Sequence, residues 1–342
     1  MHMTDALVSP AVGLTMAAVG VAAVGISVVK IKKDELSEKK IPLMGVAGAL
    51  VFAAQMINFT IPATGSSGHI GGGILLAGLL GGIPSFLSIT VVLTIQCLFF
   101  ADGGLLALGC NIFNLGVIPC LLIYPLVFKP IIRRRIDNKS LSVASVASAA
   151  SAMVLGAFCV TAQTVLSGIS GLPFDIFASL MLPIHLIIGL VEGIITAAVL
   201  CFIHKMRPEI IESALKGERV GGVPVKNVIV AVFSLALITG GALVLFASAK
   251  PDGLEWAVGK TAERVYGREF DAGPEGEIHN AAAGVQERTA FLPDYAFVND
   301  SENAAGKPVA GITGAVAIFV TAGAAGLVIS KIKKSKKAVS DG

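Results

Sequence analysis

Five histidines occur in the chain, His2, His69, His185, His204 and His279, and the first of them stands directly after Met1. That adjacency has coordination chemistry of its own. A side chain as large as that of His2 opposes removal of an initiator methionine, so a free amine is expected one residue before an imidazole. The Met1 amine and the His2 amide nitrogen close a five-membered ring on a metal, and that amide with Nδ1 of His2 closes a six-membered one. The result is three nitrogens in one plane. Deprotonating an amide requires a metal that strongly favours square-planar nitrogen donors, which points to Ni(II) or Cu(II), with Co(II) behind them, over Zn(II), Mg(II) or Ca(II). A fourth nitrogen would complete such a site.

The candidate for it is His69, in the run Thr64-Gly65-Ser66-Ser67-Gly68-His69-Ile70-Gly71. Its glycines allow close backbone approach, and the hydroxyls of Ser66 and Ser67 are candidates to support the imidazole from behind. From the residues alone, a terminal histidine and a loop histidine that never meet are an equally good reading. His185 and Glu192 are seven apart, on one helix face, and a carboxyl group inside an apolar run is costly enough to need a purpose. Their role stays open between metal ligation and a buried interhelical hydrogen bond, and the depth of Glu192 in its run favours the second. Asn111, Asn114 and Gln96 read as interhelical contacts, with Asn111 a candidate supporting group. His204 reads as interfacial beside Lys205, and His279 as a solvated loop residue. The stretch from Gly253 to Gly259-Lys260-Thr261 has one residue too many between its glycines for a phosphate loop.

Something must position these residues, and composition says what. The chain is 54% hydrophobic and 14% charged, with a mean hydropathy of +0.82, far from the usage of a soluble domain. Apolar runs at 8–29, 41–59, 70–83, 85–100, 105–128, 142–166, 177–203, 227–249 and 308–330 predict about nine helical membrane segments. The third is short and rich in glycine, so a broken or re-entrant helix is expected there. Five cysteines (Cys97, Cys110, Cys120, Cys159 and Cys201) lie in apolar runs and imply neither disulfides nor a thiolate metal site. Basic residues are dispersed between the runs, which argues against nucleic acid as a partner.

Charge sets the expected orientation. Residues 30–40, 129–139, 204–226 and 331–342 together hold 20 of the 26 Lys and Arg residues, whereas 60–69, 101–104 and 167–176 hold none. Cytoplasmic loops are the ones enriched in Lys and Arg, so the amino terminus is expected outside and the carboxyl terminus inside. The first apolar run lacks a preceding basic region and reads as a retained helix, not a cleaved signal. Residues 250–307, with eleven acidic against six basic residues, would be an extracytoplasmic, partly ordered segment docked on the membrane part. His69 would then lie on the same side as Met1 and His2.

The order of Met1-His2, the 65–73 loop, Gln96 with Asp102-Gly103-Gly104, Gly109-Cys110-Asn111-Ile112-Phe113-Asn114, and His185 through Gly193-Ile194-Ile195-Thr196 resembles the CbiM/NikM family. Those proteins are cobalt and nickel substrate-specificity components of energy-coupling-factor transporters. Pro251-Asp252-Gly253-Leu254-Glu255 and Phe291-Leu292-Pro293-Asp294-Tyr295 are similar to a small NikN-type auxiliary component, so the chain resembles a fusion of the two. The resemblance implies a metal held by the amine of Met1, the amide nitrogen and Nδ1 of His2, and His69. It also implies a loop within 250–307 that helps load the metal.

The expectation is therefore an all-α, polytopic bundle of seven plus two segments. A metal-capture module spans 1–210, a cytoplasmic linker 211–226, an auxiliary two-helix module 227–330 and a basic tail 331–342. The chain would sit in the plasma membrane of a prokaryote, bind Ni(II) or Co(II) as cargo with no catalytic cofactor, and work with a transmembrane coupling subunit and ATP-binding subunits. Two other readings are an intramembrane metal-dependent hydrolase using His69, His185 and Glu192, and a standalone metal channel or carrier.

Overall fold

The computed structural model describes residues 2–32, 36–37, 39–221, 224–270 and 276–340, residues 334–340 by their backbone. Met1, and Lys33 of the basic segment 30–40, lie outside the described residues.

Helix α1 (Pro10–Lys30) starts where Ser9 accepts the Val12 N–H and Pro10 supplies a helical φ without wasting a donor. It turns most of its apolar surface outward. Helix α2 (Lys40–Gln55) does the opposite: it is almost wholly buried at the centre of the bundle. A two-rung hairpin follows, β1 (Phe59–Thr60) against β2 (Ser67–Gly68), with Phe59 opposite Gly68 and Thr60 opposite Ser67. The chain then runs extended into the interior as far as Gly72, whose φ of +77° turns it into α3 (Gly73–Leu80). An added Cβ at Gly72 would overlap the Val51 side chain.

Helix α4 (Gly82–Phe100) returns. Helix α5 (Leu108–Ile132) is π-helical from Phe113 to Phe128, where Pro119 and Pro125 remove backbone donors. Helices α6 (Asn138–Ser167) and α7 (Phe174–Met206) pack along each other, α6 opened by a capping box between Asp137 and Ser140. After α8 (Pro208–Lys216), α9 (Lys226–Gly241) and α12 (Gly306–Ser340) flank α2. Between them lie α10 (Gly253–Tyr266) and α11 (Glu277–Thr289).

Among the described residues, six helices are long and apolar enough to cross a membrane, namely α1, α4, α5, α6, α7 and Gly306–Lys333 of α12. Helices α2 and α9 are apolar but shorter. The expected segment at 70–83 is an extended stretch plus the eight residues of α3, which rise only about 12 Å. The chain is a polytopic helical membrane protein.

Candidate metal site

The first residues are anchored before α1 begins. Met3 is fully buried, and Asn111 of α5 grips its backbone from both sides: the Met3 N–H donates to Asn111 Oδ1 at 2.8 Å, and Asn111 Nδ2 donates to the Met3 carbonyl at 3.1 Å. The N–H of Gly104 reaches the same carbonyl at 2.9 Å, and Asp5 Oδ1 accepts from the Ala107 N–H at 2.9 Å. Gly103, at φ +80°, passes so close that a Cβ there would stand 2.8 Å from Asn111 Nδ2 and 3.5 Å from the His2 Cβ. The backbone at residue 2 is therefore fixed by the loop of 101–107 and by α5.

That anchoring brings His2 to His69. Their rings lie 5.1 Å apart and within 8° of parallel. His69 Nδ1 is 3.0 Å from the carbonyl of Ile70. An acceptor there calls for a proton on Nδ1, which leaves Nε2 as the lone-pair donor. Burial pushes the His69 imidazole below its ordinary value of 6.5, so the neutral, ligand-competent ring is favoured.

Two carboxylates flank the pair. Asp102 Oδ1 lies 3.2 Å from His2 Nδ1, and its other oxygen accepts the hydroxyl of Tyr295. Burial alone would raise the Asp102 carboxyl, but the charge and hydrogen bond of His2 and the bond from Tyr295 outweigh it and hold it below the usual carboxylate range. The Tyr295 phenol is correspondingly pushed well above 10 by burial and by Asp102. On the other side Asp252 Oδ2 lies 3.7 Å from His69 Nε2. Its Oδ1 is committed elsewhere, accepting the N–H groups of Leu254 and Glu255 while Glu255 reaches back to the Asp252 N–H. Pro251-Asp252-Gly253-Leu254-Glu255 is thus a capping box that opens α10, and it aims one oxygen at His69. A cavity of about 290 Å³, lined by His2, His69, Asp102, Asp252, Glu255 and Tyr295 among others, opens on this group.

The remaining candidates fall around this pair. Ser67 Oγ donates to the Lys250 carbonyl at 2.7 Å, and its N–H to that of Pro251 at 2.8 Å. Ser66 Oγ donates to the Ser67 carbonyl at 3.0 Å. Both serines bind backbone, and Ser67 joins the hairpin to the segment that carries Asp252. Asn114 pairs with Gln163, and Gln96 with Gln55, across helices. His185 Nδ1 bonds the Met181 carbonyl at 2.8 Å, and both oxygens of Glu192 accept backbone N–H groups, of Gly71 and Gly72, at 2.9 Å. His279 departs from the solvated position expected of it: it is 3% exposed, with Nε2 3.0 Å from the carbonyl of Val8. It sits on the buried face of α11 because that helix lies on the anchored amino-terminal segment. Among the described residues, no three His, Cys, Asp or Glu side chains are grouped as a metal cage.

Asp102, Asp252 and Tyr295 escaped the sequence reading as site residues. The Asp-x-x-Glu pattern at 252–255 was a legible helix start, whereas nothing local to Tyr295 points to residue 102.

Residues 2–210 match the family described as the cobalt uptake substrate-specific transmembrane region, CbiM. The chain belongs to the CbiM family. Residues 226–331 match the PDGLE domain. A putative fused nickel transport protein NikMN of Archaeoglobus fulgidus is 35% identical over 219 residues, 62% of this chain and 68% of that protein. The cobalt transport protein CbiM of Geobacter sulfurreducens is 31% identical over 187 residues, 53% of this chain and 52% of that one. Among solved structures, a transition metal transporter superposes with a TM-score of 0.53 at 27% identity, over 61% of this chain and 94% of its own. This CbiM-family chain is a cobalt or nickel transport component, not an enzyme. The CbiM region contributes His2, His69 and Asp102 to the cavity, and the PDGLE domain contributes Asp252 and Tyr295.

Proposed function

We propose that the chain is the substrate-binding component of an energy-coupling-factor importer for nickel or cobalt ions and captures the ion on the extracytoplasmic side at its amino terminus. The ligands are the amine of Met1, the amide nitrogen and Nδ1 of His2, and Nε2 of His69. The observation that carries this reading is the approach of two imidazoles, 67 residues apart in sequence, to 5.1 Å between two carboxylates. The cavity has room for a hydrated ion: six waters at about 30 Å³ each need about 180 Å³, against about 290 Å³ available.

Capture in this reading uses both carboxylates. The ion enters with its waters, drawn by Asp102 and Asp252. His2 Nδ1 leaves Asp102 for the metal, and the protons displaced from Nδ1 and from the amide pass to the waters that the ion sheds, so the charge brought in by a divalent ion is reduced by the amide and balanced by the two carboxylates. A transmembrane coupling subunit and two ATP-binding subunits then drive release inward, with the basic loops facing them in the cytoplasm of a prokaryotic cell. The domain division follows the same reading: capture module 1–210, linker 211–226, auxiliary module 227–330 and tail 331–342.

Metal analysis of the purified chain tests the ligand set. Nickel or cobalt should be retained by the unsubstituted chain and lost from His2→Ala and His69→Ala; retention by both variants at the unsubstituted level would refute it. A standalone carrier would move metal in vesicles holding this chain alone, whereas an importer component needs the ATPases.

A further inference from the structure

Glu192 lies deep within α7, 18 residues past its start, and is 3% exposed. Its two oxygens do one thing: Oε2 accepts the Gly71 N–H and Oε1 the Gly72 N–H, both at 2.9 Å. Those amides belong to the extended stretch immediately after His69. They have no helix or sheet partner, because β2 has ended at Gly68 and α3 has not begun. Buried N–H groups of this kind need an acceptor, and a forked carboxyl group matches two consecutive ones. From the opposite side, Gln55 Nε2 of α2 donates to the Gly71 carbonyl at 2.8 Å, and Gln96 Nε2 of α4 donates to Gln55 Oε1 at 3.0 Å. Three helices thereby hold a single peptide unit two residues from His69.

The same helix follows the whole descent of this stretch. Ile188 meets Gly68, Glu192 meets Gly71 and Leu200 meets Gly78 along it, and His185 meets Gly253 of α10 beside it, each contact close enough that an added Cβ would stand 2.5 to 3.4 Å from the α7 side chain. Of these only Glu192 bonds the stretch; the rest are packing contacts or ring edges. The hairpin end is tied to the PDGLE domain through Ser67, so the lower tie of the His69 segment to α7 is the Glu192 carboxyl group.

We infer that Glu192 is a positioning residue for the metal site, hanging the His69 segment on α7 so that a displacement of α7 against α2 is passed to the His69 ligand. This rests on the ligand set proposed above, and it gives Glu192 a task that neither metal ligation nor a helix-to-helix bond would give it.

The test is Glu192→Gln in the full chain. The amide keeps one acceptor but points an N–H group at a backbone N–H, so one of the two bonds must break while size is conserved. Nickel affinity in detergent should fall at least about tenfold, the usual scale for a group that orients a ligand. The ligand-field absorption band of bound Ni(II) should also shift, while the thermal midpoint of the apo chain stays within a few degrees. Unchanged affinity with an unchanged band would overturn the inference. Should Glu192→Gln fail to fold, Glu192→Asp, which keeps both oxygens at shorter reach, is read in the same way: a weaker, band-shifted site supports it, and a site like that of the unsubstituted chain overturns it. If the unsubstituted chain holds nickel and His69→Ala does not, a null result at Glu192 sinks this inference alone. If the unsubstituted chain holds no nickel, both readings fall.

Discussion

Asn111 makes no hydrogen bond to either imidazole, yet it grips Met3, the residue that follows the proposed chelate. Asn111→Ala leaves the buried Met3 N–H without its acceptor, a cost of about 1–3 kcal/mol, and the His2–Met3 peptide beside the proposed chelate loses its anchor with it. Nickel affinity measured by competition with a chromogenic chelator should fall by roughly tenfold to a hundredfold on that scale; an unchanged affinity would mean that the grip on Met3 has no part in capture. Asp102 answers to pH. Its carboxyl is held below the ordinary 3.8 by His2 and Tyr295 once their effect has overcome burial, so the folded state favours the ionised form. The stability it contributes is fully present above 3.8 and is lost as the pH falls through the depressed folded value. Amide hydrogen exchange of residues 291–297 should therefore stay slow at pH 5, once corrected for intrinsic rates, and lose protection only below the usual carboxylate range. Loss of protection already near pH 6 would contradict the Tyr295–Asp102 tie.

Among the elements, the third crossing is where sequence and structure part most instructively. Apolar length alone located α1, α4, α5, α6, α7 and α12, because a helix in hydrocarbon must be long and satisfies its own backbone. The stretch from Gly68 to Leu80 is too short a helix, and ahead of α3 its extended backbone is satisfied by Glu192, Gln55 and the hairpin instead. Its glycines announced irregularity without saying what would replace the missing hydrogen bonds. His69 and His2 were legible as a pair once the family resemblance was added to their chemistry and side, whereas Asp252 stood out only as part of the Pro251–Glu255 motif. Tyr295 was not legible as a site residue, since its meeting with Asp102 spans 193 residues and depends on left-handed backbone at Asp294 and Tyr295. Gly72→Ala tests the turn: a Cβ at φ +77° would be strained and would overlap Val51, so destabilisation should exceed about 1 kcal/mol. A lowered thermal midpoint in detergent is expected, and an unaltered one would show that the turn tolerates a side chain.

For the molecule as a whole, the PDGLE domain is built into the bundle and not appended to it. Helices α9 and α12 cover α2, while the segment between them touches His69, Asp102, Val8 and Cys97. Excising the domain would strip α2 of its cover as well as the site of two partners, so a point variant is the cleaner probe. Asp252→Asn combined with Tyr295→Phe keeps every helix and removes the charge beside His69 and the hydroxyl on Asp102. ATP-dependent nickel or cobalt uptake by cells carrying the coupling and ATPase subunits should drop several-fold, with the chain still present in the membrane; full uptake would leave the domain with a structural part only.

Most direct of all is the metal content of two purified chains, one beginning at Met1 and the other identical but extended by a few residues before it. With the α-amine as a ligand, nickel or cobalt stays with the first through desalting and washes from the second. Equal retention by both would contradict the amino-terminal site.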